Sequence, residues 1–262
     1  MKNISTDVLI VGAGPTGLFL SNLLASHHIK NILIEKNSST VKEPRAVSID
    51  DESLRVIQSL GLINQFINKI SLNCGSYYIS PNGRIFATIN PSSKLYGFPK
   101  RNSFDQPDLE DLLLKNLKVK YKLNVFFDTK FLNFYQKKDI ICSKVISKKN
   151  KFLINSKFIV GCDGANSILR KLLDIKLLGS SYKEKWLILD LFNSSNKFRH
   201  TQVFCDVRRP CITLPGPRGI RRYEFKLHKS ENEKECLNLI FIKKLLTQKG
   251  ENDNFSIRRK CV

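Results

Sequence analysis

A strand that runs into a glycine-rich turn and then a helix constrains the fold of this chain most. Residues 7–20 read DVLIVGAGPTGLFL. The apolar run Asp7–Val11 is too continuous to alternate, which is typical of a parallel strand buried on both faces. A helix is predicted from Pro15 to His27, and the next strand is Asn31–Glu35 (NILIE). This strand–helix–strand order predicts a right-handed βαβ unit within an α/β fold.

The turn carries the spacing G-x-G-x-x-G, which is typical of a dinucleotide site in this setting. Gly12 allows the tight turn, Gly14 lets the backbone approach a pyrophosphate, and Gly17 lets the helix pack against the strand. The helix N-terminus offers free N–H groups and the positive end of its dipole to phosphates. Glu35 ends the second strand, where its carboxylate could accept hydrogen bonds from ribose hydroxyls.

Three more residues of this βαβ unit belong to the predicted cofactor-binding set. Pro15 and Thr16 lie within the glycine turn, and Lys36 follows Glu35. The glycine motif alone fits either FAD or NAD, so the choice between them depends on other parts of the chain.

Further signals lie outside this unit. Arg45 follows the ribose-binding strand, where its guanidinium could reach a phosphate or flavin edge, and Gln106 stands at a helix start. Asp163-Gly164 ends a second strand–glycine–helix corner (FIVGCDGANSILRK), at the sheet edge where α/β proteins bind ligands. Each also has an ordinary interpretation, as a surface arginine, a helix cap and a turn aspartate.

The remaining elements indicate two domains. Asp50 can cap a helix from about Asp51 to Leu60, and a hairpin is predicted around residues 81–83. Other predicted elements are a helix begun by Pro107, short strands at 130–135, 140–146 and 152–154, the strand 158–160, antiparallel strands after Gly179, and a helix at 233–246. The sequence therefore predicts a parallel α/β nucleotide-binding domain at 1–75 and 101–179, into which a β-rich second domain at 76–100 and 180–262 is inserted.

The order of four motifs resembles a known enzyme family. GAGPTG, PRA followed by ID, RxxFxQPxLE and VGCDGANSxxR are similar to the single-component FAD-dependent aromatic hydroxylases of the p-hydroxybenzoate hydroxylase type. Within that family the similarity is greatest to 3-(3-hydroxyphenyl)propionate/3-hydroxycinnamate hydroxylases, and it runs from Val8 to the end of the chain.

This resemblance implies a cofactor, a reaction and a set of contacts. It implies that the α/β domain is an FAD-binding domain, with the FAD reduced by NADH or NADPH, and that the β-rich domain is a substrate-binding domain for a small phenol, with O₂ as the second substrate. Asp163-Gly164 would contact FAD and is linked in the family to pyridine-nucleotide binding. Arg45 and Gln106 would lie against FAD. Hydroxylases of other phenols or polyketides share the fold and remain an alternative.

The resemblance also implies a C-terminally truncated fold. Members of the family are roughly twice as long and carry a later Gly-Asp-Ala-Ala-His motif, which this sequence lacks. Its strand joins the parallel sheet in the family, so an unpaired edge is expected at Phe158–Val160. A homo-oligomer, a missing C-terminal half, and an inactive fragment with at most weak FAD binding therefore all stay open.

Composition excludes little but favours a cytoplasmic protein. The net charge of +21 comes mostly from scattered lysines without a nucleic-acid-binding signature, so neither nucleic acid nor membrane is expected as a partner. The seven cysteines form no C-x-x-C pair, which favours reduced thiols and no metal. No catalytic base can be assigned. Arg221, Arg222 or Tyr223 could meet the carboxylate of a substrate, but strand alternation favours ordinary outward positions for all three.

Overall fold

A computed structural model describes residues 3–148 and 150–262 of the chain. Contacts between Cα atoms divide it into two compact units. Unit 1 comprises residues 1–44 and 106–179, and unit 2 comprises residues 45–105 and 180–262. No helix within the described ranges has both the length and the apolar character needed to cross a membrane.

Unit 1 contains a five-stranded sheet and three helices. The strands are β1 (Asn3–Val11), β2 (Asn31–Ile34), β7 (Thr129–Lys137), β8 (Ile140–Ser147) and β9 (Asn150–Gly161), and the helices are α1 (Pro15–Ser26), α4 (Gln106–Val119) and α5 (Ile168–Leu172). The strand order is β2-β1-β9-β8-β7. β2, β1 and β9 are parallel, whereas β7, β8 and β9 form an antiparallel meander, so the predicted parallel sheet is mixed.

β9 is one strand of 12 residues, whereas the sequence predicts two short strands, 152–154 and 158–160. The prediction is wrong because the polar residues Asn155, Ser156 and Lys157 read as a break. Their backbones nevertheless continue the ladder, since Ser156 pairs with both Thr6 of β1 and Ile141 of β8. The meander and the parallel part of the sheet therefore share one continuous strand.

The unpaired edge expected at Phe158–Val160 is confirmed. β8 pairs with β9 only as far as Ser156, and from Phe158 to Gly161 the partner among the described residues is β1 alone. The side chain of Phe158 is 64% exposed. An open strand edge beside an exposed aromatic ring is a surface prone to association.

α4 confirms the predicted apolar face of the QPDLEDLLLKNL helix. It buries Leu109, Leu112, Leu113 and Leu117. The buried amide of Asn22 in α1 donates to the Leu113 carbonyl oxygen at 3.1 Å and to the Leu18 carbonyl oxygen at 2.8 Å. A polar side chain thus fixes the packing of α1 on α4 within the apolar contact.

Unit 2 contains a seven-stranded sheet, a two-stranded sheet and short helices. The strands are β3 (Ser48–Asp50), β4 (Ser76–Ile79), β5 (Ile85–Ile89), β6 (Arg101–Ser103), β10 (Trp186–Phe192), β11 (Thr201–Phe204), β12 (Cys211–Pro215), β13 (Arg221–Lys226) and β14 (Ser256–Cys261). The helices are α2 (Asp51–Ser59), α3 (Ile63–Phe66), α6 (Glu233–Cys236) and α7 (Leu239–Thr247), with 3₁₀ turns at Ile67–Lys69 and Pro217–Gly219. The larger sheet has the order β14-β10-β13-β12-β11-β4-β5, and β3 pairs with β6.

The two compact units divide the chain at other positions than the predicted domains, whose bounds stay a prediction. Residues 45–75 and 101–105, which the sequence places in the FAD-binding domain, belong to unit 2. β3 pairs with β6, and the Cys74 N–H donates to the Arg101 carbonyl oxygen at 2.9 Å. These contacts are distant in sequence, so no local signal reveals them.

Local sequence signals predict the start of α2 correctly, but they predict the helices near the end of the chain less well. The Asp50 side chain accepts a hydrogen bond from the Ser53 N–H at 2.8 Å, as the predicted cap requires. The helix predicted at 233–246 is instead two helices, because Asn238 leaves the helical conformation and caps α7. β14 was not predicted.

The expectation that Arg221, Arg222 and Tyr223 point outward is wrong, because all three are buried. Arg222 forms a two-pronged ion pair with Asp190, with distances of 2.6 and 2.9 Å to its two carboxylate oxygens. Asp190 is a partner 32 residues away in β10, which explains how a guanidinium is tolerated inside the unit.

Glu251 is the centre of a second buried polar cluster in unit 2. Its carboxylate accepts hydrogen bonds from the Ser194 hydroxyl, from the Tyr223 hydroxyl at 2.8 Å and from the Ser195 N–H at 2.8 Å. Burial alone would raise the pKa of Glu251, but these hydrogen bonds outweigh it and lower the pKa. The cluster therefore stabilises the fold only while Glu251 is ionised.

Glu251→Gln is expected to lower the free energy of unfolding by about 1–3 kcal/mol at neutral pH, because an amide NH₂ would face the donors that the carboxylate accepts. Because the folded-state pKa is lowered, the contribution is present above the ordinary glutamate pKa and is lost as the pH falls through the lowered value. Urea unfolding at neutral and acidic pH measures this difference. Glu233→Gln, at an exposed pair with Lys185, is the control and should change little.

Candidate cofactor site

The glycine turn after β1 has the geometry that the sequence predicts. Gly12 has a φ of +104°, and a Cβ there would lie 2.4 Å from the Cys162 carbonyl oxygen. A Cβ on Gly17 would lie 1.9 Å from the Gly12 carbonyl oxygen. Neither position can hold a side chain without moving backbone. These two glycines therefore hold the turn closed.

Gly14 has a different environment. It is the N-cap of α1, and a Cβ built on it has no heavy atom within 4 Å. Pro15 begins the helix and Thr16 is exposed beside it. The space in front of the helix N-terminus is therefore open at Gly14, as the approach of a phosphate group requires.

Glu35 lies at the end of β2 and is tied to the same turn. One of its carboxylate oxygens accepts from the Ala13 N–H at 2.9 Å, and the other accepts from the backbone and side-chain nitrogens of Asn37 at 3.0 and 2.7 Å. The carboxylate thus joins the ends of β1 and β2. Lys36, next in the chain, is exposed.

Asp163 lies against the glycine turn. β9 pairs with β1 as far as Gly161 opposite Val11, and the Cys162 N–H donates to the Val11 carbonyl oxygen at 2.8 Å. The Cβ that Gly12 lacks would approach the Asp163 Cα to 2.9 Å. The two strand–glycine–helix corners therefore meet at one edge of the sheet.

The carboxylate of Asp163 has one oxygen that accepts hydrogen bonds and one that has no hydrogen-bond partner among the described residues. Its Oδ2 accepts from the Ile168 N–H at 2.7 Å and lies 3.4 Å from the Leu169 N–H, which fixes the start of α5. Its Oδ1 is buried and has no hydrogen-bond partner among the described residues. Gly164, with a φ of +77°, turns the chain away beside it. A buried acceptor left unpaired is costly unless a ligand or an ordered water donates to it.

Gln106 is the first residue of α4 and is buried. Its Nε2 donates to Glu110 Oε1 at 2.7 Å, and Glu110 Oε2 accepts from the Val41 N–H at 3.1 Å. Gln106 thus helps to join α4 to the segment that follows β2. Its predicted contact with the cofactor stays a prediction.

Arg45 belongs to unit 2, unlike the other predicted cofactor residues. It is exposed, and its carbonyl oxygen accepts a hydrogen bond from Arg222 Nη1 at 2.7 Å. The place of its guanidinium at the cofactor therefore also stays a prediction.

Sequence reasoning missed a charged group on the large sheet of unit 2. Asp190 interrupts the apolar strand WLILDLF, and it pairs with Arg222 and lies 4.0 Å from Arg259. Glu224 lies 3.9 Å from Arg222, and burial raises the pKa of its carboxyl group. The sequence did contain a signal for this pair, because a charged residue within an otherwise apolar strand needs a partner of opposite charge.

The unit 1 site fits FAD on three observations. It has an open helix N-terminus at Gly14, a carboxylate at the end of β2, and an unpaired buried acceptor at Asp163 Oδ1. The first suits a pyrophosphate, and the acidic groups suit ribose or ribitol hydroxyls.

Comparison with known proteins agrees with this fit. Residues 5–238 match the family described as "FAD binding domain". The 3-(3-hydroxy-phenyl)propionate/3-hydroxycinnamic acid hydroxylase of Escherichia coli O81 (strain ED1a) is 30% identical over 99% of the chain and 47% of that protein. The protein of the same name from Paraburkholderia xenovorans (strain LB400) is 32% identical over 89% of the chain and 38% of that protein. The chain thus spans less than half the length of these curated relatives.

Solved structures share the fold. p-Nitrophenol 4-monooxygenase PnpA from Pseudomonas putida DLL-E4 matches with a TM-score of 0.85 at 17% identity, over 99% of this chain and 67% of that one. The flavin-dependent monooxygenase PieE, solved with FAD and substrate, matches with a TM-score of 0.83 at 15% identity, over 98% of this chain and 49% of that one. These likenesses confirm the predicted fold class.

The three glycines are expected to differ in what they contribute to stability. Gly12→Ala and Gly17→Ala should each cost at least about 1 kcal/mol of unfolding free energy, from a positive φ at Gly12 and a backbone clash at Gly17. Gly14→Thr should change it by less than about 0.5 kcal/mol, because glycine and threonine are similar N-caps. Thermal unfolding without cofactor tests this, and equal losses at all three positions would contradict it.

Proposed function

Because the chain belongs to the family of FAD binding domains, we propose that it is the FAD-binding part of an FAD- and NAD(P)H-dependent monooxygenase that hydroxylates a phenolic substrate such as 3-(3-hydroxyphenyl)propionate. The observation that carries the proposal is the meeting of the two corners of unit 1, with open space at Gly14 and an unpaired acceptor at Asp163. Hydroxylases of other phenols or polyketides remain the alternative.

Each predicted residue has a role in this proposal. Gly12 and Gly17 keep the turn closed, and Gly14, Pro15 and Thr16 present the start of α1 to the pyrophosphate. When bound, FAD would supply electron transfer from NADH or NADPH and the activation of O₂.

The remaining residues of the predicted set would bind the rest of the cofactor. Glu35 would bind ribose, Asp163 Oδ1 would accept from a ribitol hydroxyl beside Gly164, and Lys36 would flank the ribose. Gln106 and Arg45 would approach the flavin, as the resemblance implies.

The cellular setting is part of the proposal. All seven cysteines are free in the structure, which supports a reducing cytoplasm as the location. A homo-oligomer, or completion by further polypeptide like the unmatched half of the relatives, stays a prediction.

Titration with FAD, followed by flavin absorbance and fluorescence, tests the proposal directly. A saturable change in the flavin spectrum is expected, and its absence would contradict FAD binding by this chain. Oxidation of NADH or NADPH that a phenol stimulates, with formation of a catechol-type product, would then support the monooxygenase. FAD binding without such oxidation would support an FAD-binding fragment that is inactive alone.

Gly14→Thr is expected to weaken FAD binding at least about tenfold while leaving the fold intact, because the new side chain fills the space that the pyrophosphate needs. Gly83→Asn is the matched control. Like Gly14, Gly83 has no heavy atom within 4 Å of the Cβ built on it, but it lies in the β4–β5 turn of unit 2, at a positive φ that asparagine tolerates. FAD titration of both variants makes the comparison, and unchanged affinity in Gly14→Thr would contradict the assigned phosphate site.

A further inference from the structure

The two faces of the large sheet in unit 2 differ in what covers them. On one face Leu187, Leu189 and Phe225 pack with Ile242 and Leu246 of α7 in a buried apolar cluster. Side chains of directly opposed residues in an antiparallel ladder lie on the same face. Glu224 alternates with Tyr223 and Phe225 and therefore lies on the opposite face.

Glu224 is flanked on that face by apolar side chains. In the strand pairing, Glu224 lies opposite Ile188 of β10 on one side and opposite Ile212 of β12 on the other. All three are half-buried, and the Glu224 side chain is 27% exposed. A carboxyl group between two isoleucines, on a partly open face, is an unfavourable arrangement for stability alone.

The charged neighbours of Glu224 are occupied with one another. Arg222, the next residue of β13 on this face, is held by both oxygens of Asp190, and Arg259 of β14 lies 4.0 Å from Asp190. Arg222 Nη1 remains 3.9 Å from Glu224, beyond hydrogen-bonding distance. Within residues 3–148 and 150–262 no hydrogen bond to the Glu224 carboxylate is found.

We propose that Glu224 is a catalytic residue that accepts the hydrogen bond, and then the proton, of a phenolic hydroxyl group bound on this face of the sheet. The inference rests on the proposed function. The proton leaves the phenol oxygen for a carboxylate oxygen of Glu224, giving a phenolate and a neutral carboxylic acid. The isoleucines would contact the aromatic ring, and the negative charges of Glu224 and Asp190 favour a hydrogen-bond donor over an anionic group at this point.

The acidity of Glu224 agrees with this role. Burial, opposed by Arg222 and Arg259 and aided by Asp190, raises the pKa of its carboxyl group, which makes the carboxylate a stronger base. A raised folded-state pKa means that the ionised form destabilises the fold as the pH rises above the ordinary glutamate pKa. A carboxylate that is retained at a cost in stability is typical of a functional site.

The chain carries a fluorescent reporter on the same face. Trp186, the single tryptophan of the sequence, pairs with Lys226 on β13, two positions along from the Ile188–Glu224 pair. Trp186 is half-buried, so a ring bound over Ile188 should change its emission. Binding can therefore be followed without relying on activity.

The test compares phenol with anisole, its methyl ether, which lacks the donor proton. Trp186 fluorescence gives the dissociation constants of both at several pH values from acidic to neutral, with and without saturating FAD. The wild-type chain is expected to bind phenol at least about tenfold more tightly than anisole at neutral pH, and to lose this preference as Glu224 is protonated at lower pH. Glu224→Gln should show little preference and no such pH dependence.

Two controls separate catalysis from a structural role. Glu184→Gln removes an exposed carboxylate paired with Lys226 and should keep the wild-type preference and pH dependence. Glu224→Gln should unfold at the same or a higher temperature than wild type at neutral pH, because it removes a disfavoured charge.

The outcomes distinguish this inference from the proposed function. A preference for phenol that persists in Glu224→Gln, a lower unfolding temperature of that variant, or no phenol binding with or without FAD would each overturn the inference. Flavin absorbance in the same samples reports FAD binding separately. A chain that binds FAD but not phenol therefore overturns the role of Glu224 and leaves FAD binding standing.

Discussion

The parallel pairing of β1 with β9 is the constraint on which the candidate cofactor site depends. It extends from Asn3 opposite Leu153 to Val11 opposite Gly161, so both strands end at the same edge of the sheet. The turn after β1 can then lie against the turn after β9 only if it lacks a side chain, which Gly12 provides. Glycine at this position is therefore needed for the contact between two turns as well as for the backbone conformation of one.

The sequence predicts the parts of the structure whose signals are local. The β1–α1–β2 unit, the capped helix α2 and the apolar face of α4 each depend on residues that lie close together in the sequence. Asp163 was found because a strand, a glycine and an acidic residue occur in sequence order. The different environments of its two oxygens, with Oδ2 fixing the start of α5 and Oδ1 without a hydrogen-bond partner among the described residues, depend on three-dimensional contacts and were not predictable.

The wrong predictions concern residues whose burial or strand pairing depends on a partner that is distant in sequence. Arg222 is buried because Asp190 lies opposite it on the next strand, and alternation along one strand contains no information about that partner. The polar centre of β9 reads as a break because its pairing with both neighbours cannot be seen in the local pattern. Charged and polar residues inside sheets are therefore where single-sequence reasoning is weakest, and Glu224 is one of them.

The continuity of β9 has a consequence for how the length of this chain can vary. β8 ends at Ser147 and β9 begins at Asn150, and Asp163 follows the far end of β9. Successive strand residues point to opposite faces, so an insertion of one residue within β9 would reverse the facing of every later side chain relative to β1. Insertions before the start of β9 would leave that register unchanged. Viable length changes should therefore lie outside β9, because the number of residues in β9 fixes which face of the sheet each later side chain meets, up to Asp163.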